Sequence, residues 1–134
     1  MKKVLPFFIL LIFIIGCGAH GPIKDKYPPV YSSPIPSTIV IERPNVFKGS
    51  AMNFMVSVNG EAVYGIKNGE QLVFNVDPGE NYFGAMGMNP WTHAPAHHEI
   101  LINCEPGKTY YLLVQIHLNI APTIERVSKL EIRK

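Results

Sequence analysis

From Thr38 onward, apolar residues recur at every second position, the pattern of strands buried on one face. Met52, Phe54, Val56 and Val58 alternate with Ala51, Asn53, Met55 and Ser57. Leu72, Phe74 and Val76 alternate with Gln71, Val73 and Asn75. The longest apolar face is Tyr110, Leu112, Val114, Ile116 and Leu118, and Leu130 and Ile132 repeat the pattern near the C-terminus. No segment carries the broader apolar stripe of an amphipathic helix.

Turn residues punctuate these runs. Asn59-Gly60 and Asn68-Gly69 predict type I′ hairpins, whose two central residues need positive φ. Asp77-Pro78-Gly79-Glu80 and Glu105-Pro106-Gly107-Lys108 place Pro where φ is preset and Gly where positive φ is tolerated. Short strands with a turn signal about every ten residues predict an all-β sandwich. The segment 38–134 suits one such domain with one core.

The first part of the chain is different. Gly18 to Ser37 has no apolar period and carries Pro22, Pro28, Pro29, Pro34 and Pro36. Residues 17–37 therefore read as an extended, partly polyproline tether, which at about 3.1 Å per residue reaches roughly 60 Å. Ahead of it, Lys2 and Lys3 precede an apolar run from Val4 to Ile15. That run is too short for a membrane-spanning helix, which needs roughly 20 residues, and has the length of a signal peptide. It ends in Ile14-Ile15-Gly16-Cys17. An aliphatic residue three before a cysteine and a small one just before it form a bacterial lipobox. Segment 1–16 is expected to be a cleaved lipoprotein signal peptide. The Cys17 thiol then takes a diacylglycerol, and its freed amine can be acylated with palmitate or a similar chain. A single acyl chain anchors weakly, whereas two or three on one residue give durable membrane attachment. Gly18 is not the Asp that retains lipoproteins at an inner membrane, so a host with two membranes would carry the chain in its outer membrane, facing the periplasm.

Cleavage changes the charge. The whole chain has 12 Lys+Arg and 10 Asp+Glu, and loss of Lys2 and Lys3 balances the two. No polybasic run remains, which argues against nucleic acid as a partner. The chain has 2 cysteines. With Cys17 lipidated, Cys104 has no partner for an intramolecular disulfide; in step with Ile100 and Ile102, it reads as a small buried hydrophobe.

Catalytic motifs are missing. Ser50, Ser57 and Ser128 have no Gly-x-Ser-x-Gly context. Gly107-Lys108-Thr109 ends a turn into a strand and lacks the spacing of a phosphate loop. No enzyme activity and no resident cofactor are expected. One stretch is rich in potential ligands: Met86, Met88, His93, His97 and His98, with Trp91, Pro90 and Pro95 among them. Imidazole suits copper and zinc, and thioether suits copper(I). The plain reading is a surface loop with Trp91 packed over one end of the sandwich; the chemical reading is a copper or zinc site. His97 and His98 are adjacent and point to opposite faces in a regular strand, so both ligate one ion only from irregular backbone. Glu99 is placed to orient a ligating imidazole.

Taken together, Glu42-Arg43-Pro44, Phe47-Lys48-Gly49-Ser50-Ala51, Val58-Asn59-Gly60, Ile66-Lys67-Asn68-Gly69, Val76-Asp77-Pro78-Gly79 and Pro106-Gly107-Lys108-Thr109-Tyr110-Tyr111 resemble the domain of unknown function 2846 family of bacterial lipoproteins and secreted proteins, and more loosely PEGA-type domains. The resemblance runs from about Ile39 to the C-terminus. It implies a small Ig-like or transthyretin-like β-sandwich and brings no established activity with it. The Met-, Pro- and His-rich stretch from Gly84 to His98 departs from it, where a plain loop is expected. The leading expectation is a membrane-anchored, non-catalytic binding or structural module of the cell envelope. Its partner would be another envelope protein or a cell-wall polymer, met by a sheet edge or face. The alternative is an envelope lipoprotein that binds copper or zinc through the Met/His loop.

Overall fold

The computed structural model describes residues 21–46, 52–88, 95–116 and 121–129. The leader 1–16, Cys17, His93, Trp91 and the Leu130–Ile132 repeat lie outside them. Every regular element among the described residues is a strand: β1 (Gly21–Pro22), β2 (Ser37–Glu42), β3 (Phe54–Val58), β4 (Glu61–Ile66), β5 (Gln71–Val76), β6 (Gly79–Met88), β7 (Pro95–Cys104), β8 (Thr109–Ile116) and β9 (Pro122–Val127). They form a five-stranded sheet in the order β1-β4-β3-β6-β7 and a four-stranded sheet in the order β5-β2-β8-β9. The fold is an all-β sandwich.

The period-two runs supply the facing layers. Phe54, Val56, Phe83, Ala85 and Ile102 from one sheet meet Ile39, Ile41, Phe74, Leu112 and Val114 from the other, all buried. Cys104 joins this core as a free, buried thiol whose pKa burial pushes up. Removing such side chains from water stabilises the fold by about 1.5–3 kcal/mol each. Arg43 is the unusual member of the interior. Its guanidinium lies 4.1 Å from the centre of the Phe54 ring and donates to the Ile66 carbonyl at 2.8 Å. Burial lowers its pKa.

Of the two Asn-Gly pairs, one has the expected turn. Asn59 and Gly60 both have positive φ, 51° and 83°, as type I′ requires. At Asn68-Gly69 only Gly69 does, at 77°. Asn68 is instead held by side-chain bonds: its Nδ2 donates to Asn45 Oδ1 at 2.8 Å, and its Oδ1 accepts from the Val46 amide at 3.3 Å. Tertiary contacts set this turn, so the type I′ expectation fails there.

The tether expected over 17–37 also needs correction, because from Gly21 onward it is part of the fold. Gly21 and Pro22 pair with Gly65 and Tyr64 of β4, and the Ile23 amide donates to the Val63 carbonyl at 2.9 Å. Tyr27 sets its ring edge-on against Tyr64, with centroids 4.9 Å apart, and against Phe74 at 6.1 Å. These two residues belong to opposite sheets, so Tyr27 closes the seam between β4 and β5. Further along, the Asp77 carboxylate accepts from the amides of Ser32 at 2.9 Å and Ser33 at 2.7 Å. Those bonds hold its pKa below the ordinary value of 3.8. A segment without apolar period is thus strapped down by a few side-chain anchors, and the free reach of 60 Å is lost.

Candidate functional site

The second departure is the Met- and His-rich stretch. It is a hairpin, in which β6 and β7 pair over ten residues each, from Gly79 opposite Cys104 to Met88 opposite Pro95. Only the connection, 89–94, lies outside the described residues. Alternation sorts this hairpin into two faces. Phe83, Ala85, Ile102 and Cys104 point into the core. Gly84, Met86, Met88, His97 and Glu99 belong to the outer face of the five-stranded sheet.

Pairing across the sheet places these outer residues in rows. Gly65 of β4, Met55 of β3, Met86 of β6 and His97 of β7 are successive cross-strand partners. The same row begins at Gly21 of β1, opposite Gly65. The neighbouring row is Ala62, Ser57, Gly84 and Glu99. The register of β3 against β4 shifts between Val56 and Ser57, a bulge of the kind that re-aims side chains.

Gly84 is open for a reason. A Cβ there would collide with the Ser57 hydroxyl and come within 2.7 Å of His97 Nε2. The His97 ring therefore leans from its own row across the space that the glycine leaves. Its Nε2 lies 3.4 Å from Glu99 Oε2. Beneath it, Ser57 is 1% exposed, and its Oγ has no hydrogen-bond partner. An orphaned buried hydroxyl costs about 1–3 kcal/mol. Ser57, His97 and Glu99 do not make a hydrolytic triad. That chemistry needs an accessible hydroxyl within hydrogen-bond reach of the base, and Ser57 is neither accessible nor bonded.

His98 faces the other way. Its strand partner is Ala85, a core residue, and its Nδ1 accepts the Ile124 amide at 3.2 Å. It bridges β7 to β9 at the seam opposite Tyr27. The candidate ligands are therefore divided: Met86, Met88 and His97 share the outer face, and His98, though exposed at the sheet edge, lies on the opposite face with one nitrogen occupied. Among the described residues, no three His, Cys, Asp or Glu side chains gather as a metal site. Sequence reasoning missed Met55. Its outward position was readable from alternation, but its pairing with Met86 depends on β3 lying beside β6, which local pattern does not encode.

A solvent-open hollow of ≈ 350 Å³ lies between the strap and the β3–β4 turn, lined by Asp25, Lys26, Val30, Asn59 and Glu61 among others. Lys26 and Glu61 pair across it at 3.7 Å, with both side chains largely solvated, so the pair contributes little.

No protein-family model matches the chain, and no curated protein matches it. It is similar to a protein from Eubacterium rectale whose structure was determined by NMR, with 14% identity, a TM-score of 0.43, and coverage of 72% of this chain and 93% of that one.

Proposed function

We propose that the chain is a lipid-anchored, non-catalytic module of the bacterial cell envelope, held close to the membrane. It presents the outer face of its five-stranded sheet to a ligand or partner. The lipobox at Ile14 to Cys17 supports the anchor. The observation that carries the reading further is the pairing of Gly21 onto β4. Three residues separate Cys17 from Gly21, and fully extended chain covers at most about 14 Å over those four steps. A lipid on Cys17 therefore keeps the edge of the five-stranded sheet near the bilayer. Met55 and Met86 lie in the same row as Gly21, two and three strands away. At about 4.8 Å per strand, the exposed methionine face stays near the anchor too.

The test is replacement of the lipid acceptor in the native host. Cys17→Ala is expected to abolish incorporation of radiolabelled fatty acid and to remove the mature chain from washed membranes. Undiminished labelling of that variant contradicts the proposal.

A further inference from the structure

The outer face of a half-buried sheet is ordinarily polar or β-branched, because water covers it. Here it carries most of the chain's methionine. Of 5 methionines, Met1 heads the leader and Met52 packs against the core. The remaining ones, Met55, Met86 and Met88, all fall on this single face, Met88 being 59% exposed. His97, with its side chain 44% exposed, is the direct cross-strand partner of Met86, and Met55 is the partner on the other side.

We propose that Met55, Met86 and His97 bind one copper(I) ion above strand β6. The inference rests on the reading of this sheet face as the ligand-presenting surface and names its ligand. Cβ atoms of paired residues stand about 4.5–5.5 Å apart. Methionine has three rotatable bonds beyond its backbone, so thioethers from β3 and β6 can meet an imidazole from β7 over the central strand. Two thioethers and an imidazole form a soft donor set that favours copper(I) over zinc.

The setting of His97 supports the assignment. Its Nε2 faces the Glu99 carboxylate at 3.4 Å and the Ser57 hydroxyl across the space above Gly84. With the Glu99 carboxylate on that side, the ring proton belongs on Nε2, and the lone pair on Nδ1 is left for a metal. A carboxylate fixing the far nitrogen of an imidazole is the usual support of a metal-binding histidine. Glu99 is thus a positioning residue, and the missing side chain at Gly84 lets the ring lie where Glu99 can hold it. His98, engaged by Ile124, is outside the site.

The experiment is anaerobic titration of the full lipidated chain, extracted in detergent, with copper(I) in competition with bicinchoninate. One ion is expected to bind with a dissociation constant well below micromolar. Met86→Leu and His97→Gln should each weaken binding by about 100-fold or more, and Glu99→Gln by about 10–100-fold. Met52→Leu and His98→Gln should leave it within about twofold, since neither residue lies on this face. Methionine-methyl NMR of the unmutated protein provides a reading independent of variant folding. Silver(I), a redox-inert soft ion, should shift the signals of Met55 and Met86 and leave Met52 in place. Binding no tighter than roughly micromolar, an affinity unmoved by both Met86→Leu and His97→Gln, or a silver shift confined to Met52 overturns the proposal. Fractionation of the same membranes reports anchoring separately, so a failure to bind copper leaves the lipid-anchor reading standing.

Discussion

The strap from Gly21 to Pro36 and the β6–β7 hairpin are ordered by opposite means. The strap has one two-residue strand and isolated backbone bonds such as Ile23 to Val63, and otherwise depends on a few side chains. Tyr27 is wedged against Tyr64 and Phe74, and Asp77 gathers the Ser32 and Ser33 amides. The hairpin has a continuous ladder of backbone pairs and a core-facing row of buried residues beneath it. Removing one anchor should free a stretch of the strap. Except at Gly84, where a side chain would collide with Ser57 and His97, the hairpin should tolerate change on its outer face, because neither its ladder nor its core row depends on that face. Redundant backbone order is what would leave Met86 and His97 available for the proposed copper site.

The largest effect should come from the hairpin's inner face. Phe83 is fully buried, and Phe83→Ala should cost about 3–5 kcal/mol in denaturant unfolding. A loss under about 1 kcal/mol would mean that the two hairpin faces are not the unequal pair described. Next comes Tyr27→Ala. Two edge-on ring contacts contribute about 0.5–1.5 kcal/mol each, so a loss of about 1–3 kcal/mol is expected, with faster hydrogen exchange at the strap amides.

Acid should loosen the strap at Asp77. The folded-state pKa of Asp77 is depressed, so its contribution is present above the ordinary value of 3.8 and is lost as pH falls through the lower folded value. Exchange of the Ser32 and Ser33 amides, corrected for intrinsic rates, should accelerate below about pH 4. Asp77→Asn should show the same acceleration at neutral pH. Equal protection in the two proteins would remove Asp77 from the account. The smallest effect is expected on the outer face, where Met86→Leu conserves volume and should change stability by no more than about 0.5 kcal/mol.

The sequence made the sandwich legible because burial on one face leaves a period of two. The runs around Phe54, Phe74 and Tyr110 became β3, β5 and β8. The strap was not legible because its order comes from contacts more than forty residues away in sequence, such as Ser32 with Asp77. Prolines and glycines without apolar period look alike whether they are free or anchored. The candidate site was half legible. Met86 and His97 stood out by local density, and their placement in one strand pair followed only from pairing. Met55 required the neighbour order of the whole sheet, and the placing of His98 on the face opposite to His97 required knowing that β7 is regular at that point.

Anchoring is the claim on which the rest is built, and intact-protein mass spectrometry of the chain extracted from its native membrane tests it most directly. The account predicts an N-terminus at Cys17, with residues 1–16 gone and the mass of a diacylglycerol, with or without an added acyl chain, on that cysteine. A chain that retains Met1, or one that begins beyond Cys17 without lipid, would contradict it.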